Sequence, residues 1–303
     1  DEPFAHMIPN RSLIRALRAA ANEAGVVSHH DTLVEAQEIL PNEASITTTT
    51  GRVFTAKLLI AADGVRSRSR TAAGIKTMHW SYDQTGIVTT VAHERPHNGC
   101  AQEHFLPAGP FAILPLTGNR SSLVWTESTR NAKRILAMDD FDFEMELEQR
   151  FGHKLGEIKV EGARQGFPLG LTLAREFVLN RFALAGDAAH GIHPISGQGL
   201  NLGFMDAAAL SQVIVEADRL GLDIGSLNVL ENYQRWRRFD TVKMGIVTDV
   251  LNRLFANDNP LLRAARDFGL GVVDRLPGLK KQFINQAAGL SKSAPNLLQG
   301  KAI

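Results

Sequence analysis

The stretch that most restricts what this chain can fold into begins at a short apolar strand, Arg181-Phe182-Ala183-Leu184. It continues as Ala185-Gly186-Asp187-Ala188-Ala189-His190, passes Pro194, and reaches Gly197-Gln198-Gly199-Leu200-Asn201-Leu202-Gly203. One acid stands at a strand end, and a glycine turn opens an Ala-rich helix predicted from near Gly199 to about Leu220. The backbone N–H groups at a helix start have no acceptor and carry partial positive charge. A carboxylate beside them accepts hydroxyl groups. The junction therefore suits a ligand with a polyol chain and an electron-rich edge.

A second junction precedes it. Lys57-Leu58-Leu59-Ile60-Ala61-Ala62 reads as a buried strand and runs into Asp63-Gly64-Val65-Arg66-Ser67-Arg68-Ser69-Arg70. Gly64 permits a tight turn and close approach of backbone to phosphate. Ser67 and Arg70 can hold the turn and the following helix together. Taken alone, this is equally a strand, a turn and a basic helix start.

In this order, a domain's length apart, the two junctions resemble the DG motif, DGxxSxxR, and the second FAD-binding motif of the class A flavoprotein monooxygenases, the p-hydroxybenzoate hydroxylase type. The likeness narrows to the ubiquinone-biosynthesis hydroxylases through Gly203-Phe204-Met205-Asp206-Ala207-Ala208, Phe111-Ala112-Ile113-Leu114-Pro115-Leu116, Ser122-Leu123-Val124-Trp125 and Phe167-Pro168-Leu169. Pro277-Gly278-Leu279-Lys280 and Ala287-Ala288-Gly289-Leu290 extend it, so it covers almost the whole chain. It implies an α/β FAD-binding fold with an inserted α+β substrate domain built on a β-sheet. The expected divisions are 1–76 and 171–245 for the FAD domain, 77–170 for the substrate domain, whose sheet roofs the flavin, and 246–303 for a helical C-terminal region.

The resemblance also implies chemistry. FAD would be held by Asn10, Asp63, Gly64, Gly186, Asp187, Ala188, Pro194, Gly197, Gln198, Gly199, Leu200 and Asn201, with Asp187 on the ribityl chain and the helix start facing the pyrimidine edge. His190 and Pro194 would shape the site, and no catalytic side chain is expected. NADPH or NADH would reduce FAD, and O2 would add at C4a to give a hydroperoxide whose distal oxygen goes to a phenol ring. The implied substrate is a polyprenylated phenol on the way to ubiquinone. Such a tail requires peripheral membrane contact or a partner in a ubiquinone-biosynthesis complex. Three other readings stand beside it: a hydroxylase of a small soluble aromatic, a non-catalytic scaffold subunit, and a flavin-dependent epoxidase or reductase of isoprenoids.

The strand-GxGxxG-helix unit that grips the ADP half of FAD in such enzymes is absent. Gly269-Leu270-Gly271 lacks the third glycine and follows a helical pattern. The family pattern is entered partway, at His6-Met7-Ile8-Pro9-Asn10-Arg11. The expectation is that an N-terminal ADP-binding segment of about one hundred residues is missing, and that this chain by itself holds FAD weakly.

Composition excludes other classes. Lys plus Arg number 33 against 32 Asp plus Glu, so no net field draws the chain to nucleic acid. The single Cys100 rules out an internal disulfide framework and suits a reducing, cytoplasmic compartment. No apolar run is long enough to span a bilayer.

Along the chain, hydrophobic periodicity predicts an amphipathic helix over 12–24 and strands over 26–30 and 33–37. It predicts a hairpin over 45–56 turning at Gly51. β-rich segments follow at 86–92, 101–106, 111–116 and 121–127, with helices at 129–137 and 141–151 and a last strand at 159–167. Another helix starts near Leu227. His29 and His30 alternate along the expected strand and read as surface polar residues. His190 and His193 lack the neighbours of a metal pair, and no metal site is expected. Asn10 is either a phosphate-proximal residue or a helix N-cap. Trp125 and Phe111 either line an aromatic pocket or fill sheet core. The run Arg235-Trp236-Arg237-Arg238 reads as a solvated helix face rather than a phosphate or headgroup site. With only Tyr82 and Tyr233 present, a tyrosine relay for phenol deprotonation has little support. The last helices, with Lys280-Lys281, Leu279, Phe283 and Ile284, either contact the bilayer or pack on the FAD domain.

Overall fold

A computed structural model describes residues 5–192, 197, 199–255 and 294–303. In chain order, helix α1 (Asn10–Glu23) precedes strands β1 (Val34–Ile39), β2 (Ala44–Thr48), β3 (Val53–Ala56) and β4 (Leu59–Ala61). Helix α2 (Arg68–Ala72) and the long strand β5 (Thr77–His93) follow. Strands β6 (Gln102–Leu106), β7 (Gly109–Leu116) and β8 (Arg120–Ser128) lead to helices α3 (Thr129–Leu136) and α4 (Asp140–Phe151). Strands β9 (Ile158–Val160), β10 (Gln165–Ala174), β11 (Val178–Leu179), β12 (Phe182–Leu184) and β13 (His190–Gly191) complete the sheets. Helices α5 (Gly199–Arg219) and α6 (Leu227–Phe255) close the sequence of long elements.

The chain divides into two compact units. One contains Ser81–Leu169. Its antiparallel sheet runs β5–β8–β7–β6, with β9 also on β5. Residue alternation puts Ile87, Val91, Phe111, Ile113, Leu123 and Trp125 on one face. Helices α3 and α4 cover that face with Ala132, Ile135, Phe143 and Leu147. Phe111 and Trp125 meet edge-on at 6.0 Å, and both are fully buried. They are sheet core, not pocket lining. Ser128 caps α3 and Asp139 caps α4, each side chain accepting a backbone N–H.

The other unit contains His29–Trp80 and Gly170–Val250. It holds the three-stranded sheets β11–β12–β4 and β1–β2–β3. Its core joins Phe177, Phe182, Ala183 and Leu184 to Ala209, Leu210 and Val213 of α5 and to Leu230 and Tyr233 of α6. The hairpin β2–β3 turns at Gly51, whose φ of +77° an L side chain rarely adopts.

Two sequence expectations need correction. Residues 26–30 form no strand: Val26 and Val27 are exposed, with no partner ladder for their backbone. The ring of His29 lies 4.8 Å from that of Phe54 instead of pointing from a pleat. The single strand over 159–167 is two strands, because Glu161 N and Gly162 N both donate to the carbonyl of Thr90 and break the ladder there.

Candidate functional site

Strands β4 and β12 pair in parallel, Leu59 against Phe182 and Ala61 against Leu184. Their carboxyl ends therefore lie side by side. Asp63 follows the first strand and Asp187 the second. In α/β sheets, ligands bind outside the carboxyl ends of parallel strands.

The Asp63 loop is built from its own side chains. Gly64 turns the chain at φ +83°. Ser67 Oγ donates to Asp63 Oδ1 at 2.5 Å, and Ser69 N donates to Asp63 Oδ2 at 3.0 Å. Ser67 Oγ in turn accepts from Arg70 N, capping α2. Burial pushes the Asp63 carboxyl up, but the hydrogen bonds from Ser67 and Ser69 outweigh it and hold it below the ordinary carboxylate range. Buried Arg70 donates through Nη1 to Ala188 O at 2.7 Å and through Nη2 to Val65 O at 2.9 Å. Arg70 thus ties one acid loop to the other.

The Asp187 turn is a single 3-10 turn, Gly186–Ala188. Gly186 has φ +60°, which a side chain disfavours. Asp187 is exposed, and among the described residues it has no hydrogen bond or ion pair. Behind it, Gly203 of α5 comes so close that a Cβ there would lie 3.6 Å from Gly186 Cα. Helix α5 begins at Gly199, with Leu200 and Asn201 of its first turn exposed. Ala188 is buried and contributes its carbonyl to Arg70. Gly197 is exposed at φ +60°. Pro194 and Gln198 lie outside the described residues. Asn10 is the exposed first residue of α1; the N-cap is Pro9, and no side chain caps the helix.

A buried polar network supports this turn. Asp206, on α5, accepts from Gly186 N at 2.9 Å and from His190 Nε2 at 2.6 Å through Oδ2. Its Oδ1 accepts from Arg237 Nε at 2.8 Å. All three side chains are inaccessible to solvent. Burial pushes the Asp206 carboxyl up, but the hydrogen bonds and charges of His190 and Arg237 outweigh it and hold it below the usual range. One turn before Arg237, Tyr233 donates to Leu184 O at 2.7 Å. Burial, reinforced by the Asp206 charge, raises the Tyr233 phenol well above its ordinary value.

This corrects the solvated-face reading of the basic run. Arg235 and Arg238 are exposed, but Arg237 is buried on Asp206. The sequence did carry a signal: Asp206 is the only charged residue between Gly199 and Val215, and it lies in an apolar stretch. His190 is anchored to a residue sixteen positions away, not within its own loop. Among the described residues no three His, Cys, Asp or Glu side chains gather to hold a metal ion.

A left-handed glycine, an exposed carboxylate with no partner among the described residues and a helix start thus follow one another after adjacent strand ends. This donor set fits a flavin with its ribityl chain. The FAD binding domain family matches residues 2–238. The chain is 44% identical over 303 residues to ubiquinone hydroxylase UbiL of Rhodospirillum rubrum, covering 98% of this chain and 70% of that protein.

The chain belongs to the family of FAD-dependent ubiquinone hydroxylases.

Within this family it is 38% identical to the 3-demethoxyubiquinol 3-hydroxylase of Escherichia coli K12, over 79% of this chain and 61% of that one. It is 35% identical to human ubiquinone biosynthesis monooxygenase COQ6, over 79% of this chain and 58% of that one. The chain therefore spans from about three fifths to 70% of the length of these relatives. Its fold is that of p-nitrophenol 4-monooxygenase from Pseudomonas putida, with TM-score 0.76 and 19% identity over 92% of this chain and 71% of that one. Anhydrotetracycline hydroxylase from Streptomyces rimosus superposes with TM-score 0.74 and 20% identity, over 94% and 57% of the two chains. The family places this chain in the p-hydroxybenzoate hydroxylase type of fold expected from its two junctions.

Proposed function

We propose that the protein carrying this chain hydroxylates the ring of a polyprenylated phenol in ubiquinone biosynthesis, using FAD, O2 and NADPH or NADH. The observation that carries this reading is the exposed Asp187 after the end of β12, unpartnered among the described residues, beside the Asp63 loop and ahead of α5, in a chain of the ubiquinone hydroxylase family.

The FAD-holding residues in this reading are Asp63, Gly64, Gly186, Asp187, Ala188, Gly197, Gly199, Leu200 and Asn201. Pro194, Gln198 and Asn10 join them from the sequence motifs. When bound, FAD supplies the activation of O2 that ring hydroxylation needs. The chain's own residues bind and orient. Asp187 accepts a ribityl hydroxyl. The first-turn amides of α5 face the electron-rich pyrimidine edge and stabilise negative charge there. Asp63 has both oxygens engaged by Ser67 and Ser69, so its loop meets the ligand chiefly through backbone. Tyr233, buried on Leu184 O, is committed to the fold and moves no proton for the substrate.

A polyprenyl tail prefers a bilayer, and no helix among the described residues is long and apolar enough to cross one. Peripheral contact with a membrane or with a biosynthetic partner is therefore part of the proposal. Phe283 and Ile284, assigned to that contact by sequence, lie outside the described residues.

The test uses the complete protein with flavin, NAD(P)H, 18O2 and a polyprenyl phenol. The expected product is the phenol with one added oxygen from O2. Oxidation of NAD(P)H with release of peroxide only, whatever phenol is offered, overturns the reading.

A further inference from the structure

The Asp206 network explains more than stability. Asp206 bonds neither β4 nor β12; it reaches both ends of the Gly186–Ala188 turn. Its Oδ2 accepts from Gly186 N before Asp187 and from His190 Nε2 after it. Two donors from the same short segment converge on one oxygen, so the ends of the turn are fixed relative to each other and to α5. Asp187, between them, is left pointing outward with no partner among the described residues. Arg237 Nε holds the other oxygen. On the same helix, Tyr233 holds Leu184 O at the end of the strand that leads into the turn. His190 Nδ1 and Arg237 Nη2 have no hydrogen-bond partner among the described residues. Arg237 Nη1 also reaches Asp240 Oδ2 at 3.5 Å, on its own helix.

An apolar packing of the same volume stabilises a fold at least as well as a buried ion pair in many proteins. A charged cluster with two unsatisfied nitrogens is therefore a poor device for stability alone. It is a good device for fixing a backbone turn in one register.

We infer that Asp206 is the positioning residue of the flavin site: through Gly186 N and His190 it sets, before any ligand arrives, the turn that presents Asp187, with Arg237 supplying its counter-charge. This rests on the flavin reading of the Asp187 turn. Asp206 touches no reacting atom in this scheme and acts only through the turn.

The first experiment needs no variant. Amide hydrogen exchange of the flavin-free protein is followed across 185–191 and repeated with FAD. The turn is expected to be protected already in the flavin-free state, and FAD adds little. A turn that exchanges freely until FAD is added overturns the inference, because the ligand then does the ordering.

The second experiment separates positioning from folding. The double variant Asp206→Leu with Arg237→Met removes the charges together. Its thermal midpoint is expected to fall, because Gly186 N and His190 Nε2 lose their acceptor. FAD is therefore titrated well below that midpoint, where the variant is folded, and binding is expected to be weaker by about tenfold to a hundredfold. Unchanged FAD affinity in this variant shows the network to be structural only and overturns the inference. Asp187→Ala, measured in parallel, separates the two readings. If that variant also keeps parental affinity, the flavin assignment itself fails. If it loses affinity while the double variant does not, the positioning role alone fails.

Discussion

Arg70 and Ala188, 118 positions apart in the chain, are joined by a 2.7 Å hydrogen bond from the guanidinium to the carbonyl. The same guanidinium holds Val65 O in its own loop. Replacing Arg70 with Ala leaves two carbonyls without their donor and removes a buried stem. The expected loss is about 3–6 kcal/mol, from two charge-assisted bonds of roughly 1.5–3 kcal/mol each. Arg70→Lys recovers only part of it, since one ammonium cannot reproduce the planar fork. Urea unfolding of the three proteins checks this.

Gly191 leaves no room for a side chain. A Cβ there would come within 2.7 Å of Val65 Cγ2. Valine is branched at Cβ and stiff at χ1, so turning that methyl away costs energy. Gly191→Ala is therefore expected to destabilise by about 1–3 kcal/mol. The pair Gly191→Ala with Val65→Ala should recover most of that loss, because the clash is with the methyl. Equal destabilisation of the single and double variants contradicts the stated cause.

Asp187→Ala is expected to fold like the parent, because the side chain is exposed and bonds nothing in the described structure. FAD affinity should fall by about 10- to 100-fold, the worth of one charge-assisted bond. Fluorescence titration of FAD against both proteins reads this directly.

Stability should fall in acid, and the sign follows from two carboxyls. Asp63 and Asp206 are both held below the ordinary carboxylate range in the folded state. A depressed folded pKa contributes stability that is fully present above the unfolded value. That contribution is lost as pH falls from about 4 through the lower folded values. Thermal midpoints between pH 6 and pH 3 should drop, and Asp206→Asn should flatten part of the drop. A midpoint independent of pH across this range contradicts the pairing of both acids.

Both strand–acid–helix junctions were legible because their chemistry is local. Strand, turn glycine and helix start follow one another within about twenty residues, and each residue type is demanded by its own backbone position. The hairpin at Gly51 and the start of α5 at Gly199 were legible for the same reason. The buried network was not, because its meaning depends on distant contacts. Arg237 meets Asp206 thirty-one positions away, and a basic run on a helix looks solvated until its partner is known. The false strand over 26–30 fails on the same ground. An apolar pair followed by polar residues satisfies strand propensity, but a strand exists only where a neighbour accepts its hydrogen bonds.

The parallel pairing of β4 with β12 also sets a timetable. During synthesis at about 5–20 residues per second, Ala188 emerges roughly 6–24 s after Arg70. Through that interval β4 waits with an open edge, while the sheet of 81–169, whose strands pair close to their sequence neighbours, can close around its own core. The two acid loops thus meet only after that sheet can have formed, and a nascent chain halted before β12 has one acid loop without its mate.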